Sequence, residues 1–92
     1  MTVTILIGNA DNKLTQQEWS EFVDTMRQQM LPLQDKSHFF GGPATHERLQ
    51  NVCWVLEVDD QKVAKLRAVI SEVRASFKQD SAAMICGETE FI

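Results

Sequence analysis

Two stretches of helical periodicity, each preceded and followed by a run of apolar residues suited to a strand, fill nearly the whole of this 92-residue chain. That β-α-β-β-α-β order constrains the fold more than any other feature. Each helix carries one apolar stripe and must lie over its flanking strands to bury it. The first strand is read over 2–7, where Val3, Ile5 and Ile7 alternate with Thr2, Thr4 and Leu6 and Gly8 ends the run. Gly8, Asn9, Asp11 and Asn12 then make a polar turn, since these residue types tolerate positive φ or bond their own backbone.

The first helix has a marked start. Thr15 and Glu18 stand at the T-x-x-E spacing of a capping box, with Leu14 and Trp19 placed for the accompanying hydrophobic staple. Trp19, Phe22, Val23, Met26 and Met30 follow at three- and four-residue steps, while Gln17, Glu21, Asp24 and Gln28 face water. Pro32 stops the helix near Leu31. A short strand at 36–40 closes on Gly41, Gly42 and Pro43, and the connection over 41–50 is the longest in the chain, the kind of segment that often carries function. Val52, Trp54, Leu56 and Val58 then alternate with Cys53, Val55 and Glu57, apolar on both faces as a central strand is. Asp59 or Asp60 is placed to cap a second helix built on Val63, Leu66, Ile70, Val73 and Phe77. A last strand over 82–86 ends at Gly87, and 88–92 is read as a short extended tail.

Right-handed crossovers turn this order into an α+β, ferredoxin-like βαββαβ sandwich. It is a single domain with a four-stranded antiparallel sheet of strand order 4-1-3-2 and both helices on one face. The other face shows Thr4, Leu6, Cys53, Val55 and Glu57 together with one alternating set from the last strand. Leu6 and Val55 on an uncovered face predict partial burial by another copy or by a larger complex. Cys53 and Cys86 are read as small buried hydrophobes. With the first strand between theirs they stand roughly 9 to 10 Å apart, too far for a disulfide.

Nine basic against thirteen acidic residues give a net charge of −4, which argues against generic affinity for nucleic acid or anionic membrane. The chain has no run of about 18 apolar residues, and residues 1–7 lack the basic region and cleavage site of a secretory signal. A cytoplasmic location without a membrane partner is expected. His38, His46, Glu47 and Arg48 are the one cluster suited to acid-base or anion-holding work. As an enzyme, a small oligomeric α+β barrel, the chain would use His38 or His46 as acid-base and Arg48 to hold a carboxylate or enolate. His46, Glu47 and Arg48 are sequence neighbours and do not have the spacing of metal ligands, so neither metal nor cofactor is predicted.

The turn over 8–13 leads from strand to helix as phosphate loops do, yet it matches neither G-x-G-x-x-G nor a loop ending in G-K-[ST]. It also lacks the arginine-bearing loop of an acylphosphatase. Two isolated cysteines exclude an iron-sulfur ferredoxin, and Trp54 as the sole aromatic of the third strand departs from the RNA recognition motif. Arg67, Ser71, Arg74 and Lys78 follow one another at steps of four, three and four, which lines three cations along one exposed helical stripe. Such a stripe can touch a phosphate backbone or an acidic protein surface. The residues expected to meet a partner are therefore Thr45, His46, Glu47 and Arg48 in the long connection and Arg67, Arg74 and Lys78 on the helix.

The segments IGNADNKLTQQEW, HFFGGP, QNVCWVLEV, QDSAA and GETEFI resemble small bacterial and phage proteins of unassigned function. In size, acidity and want of a catalytic motif the chain is similar, as a class, to phage-encoded inhibitors of host defence such as anti-CRISPR proteins. The resemblance implies a non-enzymatic module that inhibits or regulates a larger protein or ribonucleoprotein complex, and it carries no site residue across. Beside it stand the enzyme reading above and a self-associating domain that pairs through the open sheet face and binds a small molecule.

Overall fold

The computed structural model describes residues 1–9, 11, 13–42 and 50–92. Its elements are β1 (Thr2–Gly8), α1 (Gln16–Met30), β2 (Lys36–Gly41), β3 (Asn51–Glu57), α2 (Val63–Ser76) and β4 (Ala83–Gly87), with single 3-10 turns at Leu31–Leu33 and Asp60–Lys62. The sheet runs β2-β3-β1-β4, which is 4-1-3-2 counted from its other edge. All three strand pairs are antiparallel. The fold is the α+β, ferredoxin-like sandwich that the order of elements implies.

The local signals act as the sequence suggests at the start of α1. Thr15 Oγ1 accepts from the Glu18 backbone N–H at 3.1 Å, and Glu18 Oε1 accepts from the Thr15 N–H at 3.0 Å. A cap of this kind stabilises a helix by about 1 kcal/mol. At the second helix the cap is displaced: Asp59 accepts from the Gln61 N–H at 2.8 Å and closes the short turn Asp60–Lys62, through which the chain enters α2. The other end of α2 also departs from expectation. The helix stops at Ser76, Lys78 takes a left-handed φ of 56°, and Arg74 donates to the Gln79 carbonyl at 2.7 Å. Phe77, just past the helix, packs its ring 5.1 Å from that of Phe22.

Val3, Ile5 and Ile7 of β1 and Val52, Trp54 and Leu56 of β3 meet Phe22, Met26 and Met30 of α1 and Leu66, Ile70 and Val73 of α2 in one core. Alternate residues of the two central strands thus face the helices. Their neighbours Thr4, Leu6, Cys53, Val55 and Glu57 point to the other side, which no helix of the described residues covers. No helix among the described residues is long and apolar enough to cross a membrane.

Asn9 does more than turn the chain. Only 2% exposed, it donates from its backbone N–H to the Gln50 carbonyl at 2.8 Å and from Nδ2 to the Leu14 carbonyl and Gln50 Oε1 at 3.1 and 3.0 Å. Its Oδ1 accepts from the Leu14 N–H at 3.0 Å, so the link between β1 and α1 is tied to the residue preceding β3. Two expectations change. The thiols are free as reasoned, but Cys53 is half-buried and Cys86 is exposed, because β4 is the outermost strand and has a neighbour on one side alone. Among the described residues 88–92 form no strand; the Thr89 hydroxyl meets that of Thr2, and the Phe91 ring stands 6.1 Å from that of His38.

Candidate functional site

The uncovered sheet face is built by four strands. Leu6 of β1 is 38% exposed, Phe39 of β2 53% and Ile85 of β4 57%, although each is a large apolar side chain. Ile85 lies opposite Thr4 and Phe39 opposite Val55, so all three share the face with Cys53 and Val55. Phe39 is there because of a bulge between Ser37 and Phe39. An unbroken ladder would set His38 against Val55; the extra residue sets Phe39 there and turns Phe40 to the helix side. Phe40 then stacks on Trp54 at 5.5 Å and takes the Arg27 guanidinium over its ring at 4.5 Å.

One end of this face holds a polar cluster. Glu57 Oε1 accepts from the Thr2 hydroxyl at 2.5 Å and lies 3.1 Å from His38 Nε2, while the Met1 amino group is 3.5 Å from Oε2. The Thr2 hydroxyl above all, then His38 and the charge of the amino group, hold the Glu57 carboxyl down at about 2 from its ordinary 4.5. A carboxylate against a histidine suggests acid-base chemistry. Here, however, the Thr2 hydroxyl gives its proton to the same Glu57 oxygen that meets the ring, so the histidine does not activate that hydroxyl as a nucleophile. The cluster joins β1, β2 and β3. Beside it Met1, Thr2, Glu57, Glu88 and Thr89 line an open hollow of about 270 Å³.

Two further hollows flank β4. One, of about 440 Å³, is lined by Leu6, Gly8, Asp11, Asp80 and Ala83 among others. Its two carboxylates share one cation: Lys13 Nζ lies 2.9 Å from Asp80 and 3.7 Å from Asp11. The ion pair lowers the Asp80 pKa and raises that of Lys13. The other hollow, of about 170 Å³, lies between α2 and β4 and is lined by Arg67, Ile70, Ser71, Arg74, Ala82 and Met84.

The structure therefore brings together part of the residue set expected from sequence. Arg67 and Arg74 share one hollow. Lys78 leaves their stripe because α2 ends two residues before it, and its charge acts on Glu18 of α1. His38 stands with Glu57 at the end of the sheet. Thr45, His46, Glu47 and Arg48 lie outside the described residues. Among the described residues no three histidine, cysteine or carboxylate side chains gather as metal ligands would. Sequence reasoning missed Phe39 and Ile85. The doublet of Phe39 and Phe40 leaves open which ring faces the core, and the bulge that decides it has no local signature. Ile85 was within reach, since alternation along the last strand puts it on one face or the other. In comparison with known proteins, the chain matches no family model, no curated protein and no solved structure.

Proposed function

We propose that the protein is a non-catalytic binding module, an inhibitor or regulator that docks by its uncovered sheet face onto a larger protein or ribonucleoprotein complex. One observation carries this reading: Leu6, Phe39 and Ile85 come from three strands, share one face, and are each more than a third exposed. Apolar surface of this kind, gathered on a rigid sheet, loses free energy in water that a partner restores at roughly 25 cal/mol per Å² covered. Thr4, Cys53 and Val55 fill the space between with small or branched side chains, which suits a flat contact.

The test uses photo-crosslinking residues placed singly at Thr4 and Val55 on the face and at Gln28 and Glu72 on the outer sides of the helices. The expected result is one partner captured from the face positions alone, and lost in Leu6→Asp/Phe39→Asp with the melting temperature kept. Capture of nothing but a second copy, or equal capture from the helix positions, overturns the reading.

A further inference from the structure

We propose that the free edge of β4 is a second binding site, which takes an extended acidic peptide segment of another protein as an added strand. The inference goes beyond the sheet-face reading, because it concerns the outer edge of β4 and the arginines on the helix side and shares with that face only Ile85.

The first ground is the state of the edge. An outer strand presents unpaired N–H and C=O groups at alternate residues, and proteins commonly guard such an edge with lysine, proline or a bulge. β4 reads Ala83, Met84, Ile85, Cys86 and Gly87, without charge or proline. It pairs with β1 in unbroken register from Gly87 opposite Thr2 to Ala83 opposite Leu6. Among the described residues nothing pairs with its outer side. A regular, uncharged edge of this length is a template for β-augmentation.

The second ground is charge. Arg67, exposed, and Arg74, half-buried, stand over this edge at the rim of the hollow whose floor includes Ile70, Ala82 and Met84. Neither forms a direct ion pair among the described residues; Arg74 gives one N–H to the Gln79 carbonyl and its charge acts at longer range on Asp80, while its remaining N–H groups can still donate. Seven helical residues separate them by about 10 Å. Carboxylates two or four residues apart on one side of a strand stand about 7 or 13 Å apart, within the reach of long arginine side chains. An incoming strand that alternates glutamate with an apolar residue would set its carboxylates under Arg67 and Arg74. Its apolar side would lie beside Ile85, which faces the opposite way from Met84.

Charge also selects among occupants. A second copy pairing β4 to β4 about a two-fold axis would bring both arginine pairs to one seam, where they repel. A nucleic-acid strand would satisfy the arginines but not the row of backbone donors and acceptors, and it would meet a chain of net charge −4. An acidic peptide satisfies both the arginines and the edge.

The experiment titrates the intact protein with a synthetic peptide of about eight residues alternating glutamate and valine, long enough to cover β4. The control has glutamine for glutamate. Binding is followed by amide chemical shifts and hydrogen exchange. The expected result is slowed exchange at alternate amides of 83–87. Binding should weaken about tenfold in Arg67→Glu/Arg74→Glu and with the glutamine peptide. Because Arg74 also closes the end of α2, Arg67→Glu alone is the second variant, with a smaller loss and the fold intact. Absence of binding at millimolar peptide, protection at β2 instead, or indifference to charge reversal overturns the proposal. So does β4 protection that depends on protein concentration alone, or capture of a single-stranded oligonucleotide at these arginines in preference to the peptide. The Leu6→Asp/Phe39→Asp variant should bind the peptide as the parent does, so this site and the sheet face fail or stand separately.

Discussion

The two outer strands of this sheet are finished in opposite ways. β2 begins with Lys36, carries a bulge, and holds Phe40 between Trp54 and the Arg27 guanidinium. β4 has none of these: it is regular and uncharged. A lysine and a bulge discourage pairing, and an aromatic stack fixes the strand from the core side. Both outer strands are mostly exposed, so the difference lies in how each edge is guarded and not in how much of it meets water. One edge carries a lysine and a bulge that the other lacks, and it is the unguarded edge that lies beside the two arginines.

The largest test of that contrast is Trp54→Ala, which removes the surface on which Phe40 stacks. It should cost about 3–5 kcal/mol in urea unfolding, and hydrogen exchange should quicken in β2 more than in β4. Equal loosening of both strands would mean that Trp54 supports the sheet in general and does not fasten one edge.

A smaller effect is expected at Glu57, which links His38 of β2 to Thr2 of β1. Its carboxyl is held at about 2 in the folded protein against an ordinary 4.5. The charged form is therefore favoured by folding. That contribution is fully present above pH 4.5 and is lost as pH falls through about 2. Glu57→Gln should melt below the parent at pH 7, and the gap should close as the pH approaches 2. A gap that does not change with pH would assign the loss to packing instead of charge.

The smallest change in stability is expected for Ile85→Lys, within about 0.5 kcal/mol because the side chain is exposed. Placing a charge on the unguarded strand should nevertheless delay heat-induced aggregation measured by light scattering. Unchanged aggregation would show that β4 is not the surface through which copies stick.

The elements and the face covered by the helices were legible because they rest on local regularities: alternation in β1 and β3, three- and four-residue steps in both helices, and the Thr15–Glu18 cap. The uncovered face was legible only in its central strands, where Leu6 and Val55 follow from the same alternation. Phe39 depends on one extra residue in β2, a choice made by how Phe40 packs on Trp54. The spacing alone puts Lys78 on the helical stripe, because α2 ends through a left-handed lysine where glycine or asparagine would give a signal. Asn9 looked like any polar turn residue; its burial depends on Gln50, 41 positions away.

The cysteines occupy opposite sides of the molecule, since Cys53 lies across from Leu6 and Cys86 across from the buried Val3. Each sulfur sits beside a different contact area, one on the flat side and one on the bare outer strand. A thiol-reactive dye would find them unequally, the first partly sheltered and the second open to solvent. The chain thus carries a native pair of gauges, and the one that falls silent when a ligand is added names the side that ligand has covered.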